Sequence, residues 1–246
     1  MGLDLYAGPL TRYYAGDWLT TMQRVGQELG LPTQVMYSDG QSPWLPADEA
    51  ALAVKAFIAS FGDSAWREEP GAPYTTDKPD RDGVFALDVF AAYLARPELV
   101  RPKVLPDLGA DPAVSEANDR GHYMKHMVAI EAHLFVPGDG RWVKLVEDPL
   151  GAERVVTTVG TLEAVLHDLN ARTWKASAAE IEAWRRRGHV PCRDVETGFD
   201  DATQRIVQRP YLVVDRLEHN AQFGLSCFFN MCAFSRRHGV PIVIDQ

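Results

Sequence analysis

The chain has 246 residues, of which 46% are hydrophobic and 24% charged, and its 25 Lys and Arg against 34 Asp and Glu give a formal net charge of −9. This balance excludes intrinsically disordered, collagen-like and coiled-coil chains. A nucleic-acid groove needs a basic surplus to neutralise phosphate, so we predict no nucleic-acid partner.

The N-terminus and the cysteines predict a cytoplasmic protein. Residues 1–14 lack the basic and apolar segments of a secretory signal, and Asp4 would interrupt them. The longest uncharged run, between Glu218 and Arg236, includes several polar residues and falls short of a membrane span of about 20 apolar residues. We therefore predict a buried helix there and no membrane partner. The three cysteines are an odd number and imply no disulfide framework.

The first sixty residues predict short strands and two helices. Alternation and β-rich composition predict strands at 3–7, 10–14 and 33–37. Asp17 is the candidate N-cap of a helix that runs through Leu29. Pro46 and the acidic residues after it open a second helix, which ends near Phe61.

Two irregular segments follow and bear on domain organisation. Residues 62–83 are polar and broken by three prolines, and a loop this long is usually functional or disordered. A helix over 84–95, capped by Asp82, separates it from a second proline-rich segment. We predict a single domain over 1–246. The alternative is two domains, 1–96 and 113–246, joined by that proline-rich linker.

Residues 127–147 predict a β-hairpin. Pro137-Gly138-Asp139-Gly140 is a strong turn signal, and the register it sets places Leu134 opposite Val143. Val155–Val159 adds a third strand, so residues 127–159 form a predicted central meander.

The C-terminal third predicts helices at 161–172, 177–187 and 217–237, with strands at 211–214 and 241–244. Ser177 and Glu180 form the spacing of a capping box at the second of these helices. The last strand–helix–strand run is a possible βαβ unit. The predicted fold is α+β: a mostly antiparallel sheet with the meander at its centre and helices around it.

A candidate metal site lies between 122 and 133. His122 and His126 are four residues apart, which places both imidazoles on one face if the segment is helical. Glu131 and His133 follow on one face of the predicted strand. Such a cluster would suit a metal-dependent hydrolase. The alternative is that these are solvent-facing residues set against Lys144.

Other motifs are weaker, and together they predict no cofactor. His189 and Cys192 lie close together in GHVPC, but the chain lacks the paired cysteines of a zinc ribbon. The run from Asp77 to Gly83 resembles a calcium loop but fails at positions one and twelve. The chain has no dinucleotide, P-loop or nucleophile-elbow fingerprint.

Aromatic residues are the remaining signal of a binding surface. They stand near the N-terminus and in the 62–83 segment, beside an arginine: Arg12, Tyr13, Tyr14, Trp18, Trp66 and Tyr74. Exposed aromatic and arginine side chains anchor many protein interfaces, so we predict a binding role for these six. The alternative is that the rings pack the core.

The opening MGLDLYAGPLTRYYAGDW resembles the N-termini of a group of bacterial proteins of unassigned function that begin in the pattern MGLD–Y–G–LTRYY–W. The resemblance covers about the first eighteen residues. It implies a bacterial cytosolic protein and brings no activity and no site residues.

The sequence favours a non-enzymatic protein that binds another protein in an immunity- or inhibitor-like role. Acidic charge would complement a basic partner, and the 62–83 loop would supply contacts. Two alternatives stay open. One is the metal-dependent hydrolase, and the other is a small-ligand binding domain with its pocket beside the 62–83 loop.

Overall fold

The computed structural model describes residues 3–31, 44–62, 65–119, 132–190, 195–200, 203–210 and 215–245. Within these ranges, eight helices surround a six-stranded sheet that is mostly antiparallel, and two further strands form a separate antiparallel pair. The α+β prediction is confirmed.

The strands are β1 Asp4–Ala7, β2 Thr75–Asp77, β3 Leu134–Val136, β4 Val143–Glu147, β5 Glu153–Thr158, β6 Val195–Asp200, β7 Arg205–Pro210 and β8 Ile242–Asp245. The helices are α1 Leu10–Tyr14, α2 Thr21–Glu28, α3 Ala47–Ala59, α4 Asp80–Ala95, α5 Pro112–Asp119, α6 Val159–Arg172, α7 Ala178–Arg187 and α8 Arg216–His238.

The large sheet has the order β2-β1-β8-β3-β5-β4, and only β3 and β5 run parallel. Because side chains alternate along a strand, its two faces belong to two apolar clusters. Tyr6, Leu134 and Val243 face a cluster completed by α1 and α3. Leu5 and Phe135 face a larger cluster completed by α4, α6 and α8.

The predicted hairpin between β3 and β4 is wrong, because β5 lies between them. Leu134 is paired with Val156 of β5 and Val243 of β8, not with Val143. All three β3 residues are buried, as expected of an interior strand covered on both faces, whereas β4 lies at the sheet edge and is largely exposed. The second half of the meander, the β4–β5 hairpin, is confirmed.

Residues 10–14 form helix α1, not the predicted strand. The side chain of Glu68 accepts hydrogen bonds from the backbone N–H groups of Leu10 and Thr11, both at 2.8 Å. A carboxylate at a helix N-terminus satisfies donors that the helix cannot use internally. The capping group comes from 57 residues away, so no local pattern could reveal it.

Two predicted helix starts also move. α2 begins at Thr21, where Thr20 and Gln23 form a capping box, so Asp17 is not its N-cap. α4 begins at Asp80, which places Asp82 in its first turn instead of at the cap.

The predicted strands at 33–37 and 211–214 lie outside the described residues.

Several local predictions are confirmed. α3 covers most of the predicted 46–61 helix. Ser177 and Glu180 form the expected capping box of α7. α8 is the predicted buried helix and ends at Gly239 with a φ of 64°, the left-handed cap that glycine adopts without strain.

Strands from both halves of the chain pair in the large sheet. β1 pairs with β8, and β8 has β3 on its other side, so both neighbours of β8 in the sheet are antiparallel to it. The parallel pairing of a βαβ unit is therefore not made at β8. The single-domain organisation is not tested by this pairing and stays a prediction.

Candidate functional site

Charged side chains gather where β1 and β2 meet the first turn of α4. Lys78 lies between two carboxylates: its Nζ is 3.7 Å from Asp4 Oδ2 and 3.1 Å from Asp80 Oδ1. Asp80 has a φ of +53°, a conformation that non-glycine residues rarely adopt and that concentrates at functional positions. We call this group, with Asp82 and His189, the acidic cleft.

His189 completes the acidic cleft from the other end of the chain. Its Nδ1 lies 3.9 Å from Asp80 Oδ2, and its Nε2 lies 3.8 Å from Asp82 Oδ2. The three side chains are partly exposed. The two carboxylates, those of Asp80 and Asp82, attract cationic groups.

The segment that carries His189 is held by α8. The backbone N–H of Val190 donates to Asn220 Oδ1 at 3.0 Å, and Asn220 Nδ2 donates to Val190 O at 2.8 Å. His219 Nε2 lies 2.9 Å from Gly188 O. These bonds flank His189 on both sides and fix its position relative to α4.

Another carboxylate, that of Asp77, stands at the end of β2. Asp77 Oδ2 accepts a hydrogen bond from Asn230 Nδ2 at 3.1 Å and lies 3.3 Å from Arg185 Nε. Cys227 is fully buried beside it, and burial raises the pKa of its thiol well above the usual value. A thiol held protonated in this way is a poor nucleophile.

Asp4 and Asp245 form a carboxylate pair next to the cleft. They are directly paired across β1 and β8, and the Tyr13 hydroxyl donates to Asp245 Oδ1 at 2.7 Å. Burial raises the pKa of Asp245, and the nearby Asp4 charge raises it further. Burial also raises the pKa of Asp4, although Lys78 opposes the shift.

We expect Asp245→Asn to stabilise the protein at pH 7. A carboxyl with a raised folded-state pKa binds its proton more tightly when folded, so stability is lost as pH rises from the ordinary value of 3.8 through the folded pKa. The amide removes that loss and still accepts from Tyr13. Urea unfolding of both proteins between pH 3 and 7 should show a gain at pH 7 that vanishes at pH 3. A gain of equal size at both pH values would contradict this explanation.

The six predicted binding residues lie in two separate parts of the structure. Tyr13 and Tyr14 are only 5% and 3% exposed, so their rings pack the core. Trp18 and Tyr74 are half-buried around Tyr6, with ring centroids 5.1 and 5.7 Å from it. Arg12 lies over the Tyr74 ring at 4.9 Å. Their role in binding stays a prediction.

Trp66 stands apart from the other five. Its ring lies 5.7 Å from that of Phe61 and 6.5 Å from that of Phe57, on the side of α3. Its buried indole N–H meets no hydrogen-bond acceptor among the described residues. Trp66 also lines an open pocket beside α3.

Of the four predicted metal ligands, only His133 is described. Its Nδ1 accepts a hydrogen bond from the Val155 N–H at 3.0 Å. Burial, and then the positive charge of Arg154, lower the pKa of His133. His122, His126 and Glu131 lie outside the described residues, so the metal site stays a prediction. Among the described residues, no three His, Cys, Asp or Glu side chains are arranged to hold a metal ion.

The sequence patterns place Asp82 and His189 in separate motifs. Asp82 is predicted to cap a helix, and His189 to form a weak pair with Cys192, which lies outside the described residues. More than a hundred residues separate Asp82 from His189. No periodicity or spacing rule relates positions so distant, so the acidic cleft had no local signal.

No protein-family model, curated protein or solved structure matches the chain. In the described part of the chain, no helix combines the length and the apolar character needed to cross a membrane.

Proposed function

We propose that the protein binds another protein without catalysing a reaction, in an immunity- or inhibitor-like role in the bacterial cytosol. It would do so through α2 and the adjoining acidic cleft. One observation carries the proposal: α2 is fixed at its start by a capping box, yet none of its residues is buried. A short helix that packs so little of itself into the protein is available to a partner.

One exposed face of α2 is apolar, whereas Gln27 and Glu28 are also exposed. Met22 is 61% exposed, Val25 40% and Leu29 69%, and these positions are three and four residues apart. That spacing places them on one face of the helix and its C-terminal end. Clustered apolar side chains in water are typical of the centre of a protein interface.

The helix is tied to the edge of the sheet that carries the acidic cleft. The Thr21 N–H donates to Asp4 Oδ1 at 3.4 Å, and Arg24 Nη2 donates to Thr76 O at 3.3 Å. α2 and the partly exposed Asp80 and Asp82 therefore both adjoin the β1–β2 edge of the sheet. This combination favours a partner segment with an apolar anchor and basic residues around it.

Site-specific photo-crosslinking in the source cell tests the proposal. Met22 is replaced by p-benzoylphenylalanine, and the matched control carries the same group in place of Leu52, an apolar residue of α3 that is 71% exposed. We expect one discrete protein adduct from position 22 and none of that mass from position 52. The double variant Asp80→Asn, Asp82→Asn should reduce the adduct yield severalfold, because a basic partner is no longer attracted by the two carboxylates.

Two results would contradict protein binding at α2. One is the absence of any adduct from position 22 under conditions in which the control protein is equally abundant and folded. The other is an identical set of adducts from positions 22 and 52, since random collision does not distinguish exposed apolar residues.

A further inference from the structure

We propose that a small organic anion with an apolar body binds in a pair of adjoining pockets between α3, residues 66–73 and the C-terminal end of α8. This site is distinct from α2 and the acidic cleft. It lies at residues 66–73, in the irregular part of the predicted 62–83 loop, which the structure interrupts with β2 and the first turn of α4.

The two pockets differ in their lining residues, but some residues line both of them. The first, of about 370 Å³, lies against α3 and is lined by Val54, Ile58 and Trp66. The second, of about 760 Å³, lies between residues 67–73 and the end of α8. Arg67, Glu68 and Pro70 line both pockets, so the two pockets adjoin one another, and we call the pair the depression. Their size is in the range that holds small-molecule ligands.

Positive charge lines this depression although the chain as a whole is acidic. Arg67 and Arg237 are exposed there and make no hydrogen bond or ion pair with any described residue. By contrast, the neighbouring Arg236 is paired with Asp139 and Glu163. Two guanidinium groups that have no partner among the described residues line one depression of a protein with a net charge of −9, and this indicates an anionic ligand.

The carboxylates at the same place offset this charge only in part. Glu68 is engaged by α1, with its Oε1 2.8 Å from the Thr11 N–H and 2.5 Å from the Thr11 hydroxyl. Its negative charge is therefore offset in part by the N-terminus of α1. Glu69 also lines the wider pocket. The two guanidinium groups of Arg67 and Arg237 lie in the same lining.

The wall of the depression is held in place before any ligand arrives. Glu68 ties the 66–68 segment to α1, and Trp66 rests on the rings of Phe57 and Phe61. A preformed wall lowers the entropy that a ligand loses on binding. The apolar side would take an aliphatic or aromatic body, and the planar guanidinium groups would take its carboxylate or phosphate.

Calorimetric titration of the whole protein with matched probes tests this inference. Octanoate and octyl phosphate carry the same apolar body on the two kinds of anion, octanol carries no charge, and inorganic phosphate carries no body. We expect one or both amphipathic anions to bind at least tenfold more tightly than octanol and inorganic phosphate. The relative affinity of octanoate and octyl phosphate identifies the preferred anion.

Variants of the protein locate the binding. Arg67→Gln and Arg237→Gln should each weaken binding of the preferred anion about tenfold, the lower range for a lost charged hydrogen bond. Arg205→Gln removes an exposed arginine from β7 and should change nothing. Ala51→Trp should block the apolar pocket, whereas Leu52→Trp adds the same bulk to the next residue of α3, outside the pocket.

Equal affinity for octanoate, octyl phosphate and octanol would overturn the assignment of an anionic ligand, as would failure of both anions to bind. Equal effects of Ala51→Trp and Leu52→Trp would overturn its location. These outcomes are independent of the protein-binding proposal, because crosslinking from position 22 does not require the depression.

Discussion

Gly224→Ala is expected to lower the free energy of unfolding by about 3 kcal/mol, at the upper end for adding one carbon to a packed interior. Gly224 lies in the middle of α8, where α4 crosses it. A Cβ at this position would stand 2.5 Å from the carbonyl oxygen of Gly83 and 2.9 Å from its carbonyl carbon. Both are backbone atoms, so the clash can be relieved only by separating the two helices.

The reciprocal substitution is the control. A Cβ at Gly83 would meet its nearest neighbours, Asn220 O and the Cα of Gly224, at 3.5 Å, which is ordinary contact. Gly83→Ala should therefore leave stability unchanged or raise it by up to about 1 kcal/mol through helix propensity. Urea unfolding of the two variants measures the difference. Equal destabilisation would show that the helices do not approach as described.

The close approach of these helices also bears on the acidic cleft. Asp80 and Asp82 stand in the first turn of α4, and Asn220 of α8 holds the segment of His189. Separating α4 from α8 would move the carboxylates away from the imidazole. We therefore expect Gly224→Ala to disturb the cleft as well as the core.

Asp148→Ala is expected to cost about 3 kcal/mol, because its buried carboxylate organises the β4–β5 turn. The Asp148 side chain has no exposed surface. Its Oδ1 accepts from the N–H groups of Leu150 and Ala152, both at 2.9 Å, and its Oδ2 accepts from Arg154 Nε at 2.9 Å. Alanine leaves both backbone donors without this acceptor.

Two further variants separate the causes of that loss. Asp148→Asn keeps an acceptor for the backbone donors but removes the charge that faces Arg154, so it should cost less than alanine. Glu182→Ala breaks an exposed pair with Arg186 on α7 and should change stability by less than about 0.5 kcal/mol. Thermal unfolding at fixed pH ranks the three. An alanine effect at Asp148 as small as that at Glu182 would contradict its role in the turn.

Predictions from neighbouring residues are confirmed at two helix ends but are wrong for residues 10–14 and for the caps at Asp17 and Asp82. The capping box at Ser177 and the glycine end of α8 depend on residues within about four positions of one another. Their hydrogen bonds close over short loops, so the residue types alone indicate them.

Predictions about partners in space were less reliable. The apolar stripe of β3 correctly predicts a strand. The turn signal after β3 predicts β4 as its neighbour in the sheet, which is wrong. The structure instead places β5 beside β3. The residues of β3 would be buried on both faces whether β3 paired with β4 or with β5. The hydrophobic pattern therefore does not distinguish the two pairings.

The amino-acid sequence alone determined the fold class, most helices and the acidic character of this protein. Only the tertiary structure brought Asp82 to His189, Glu68 to α1, and Arg67 beside Arg237. The physical reason is the range of the interactions. Helix caps and strand alternation are contacts between near neighbours along the chain, whereas a cleft or a pocket exists only after distant segments have packed together.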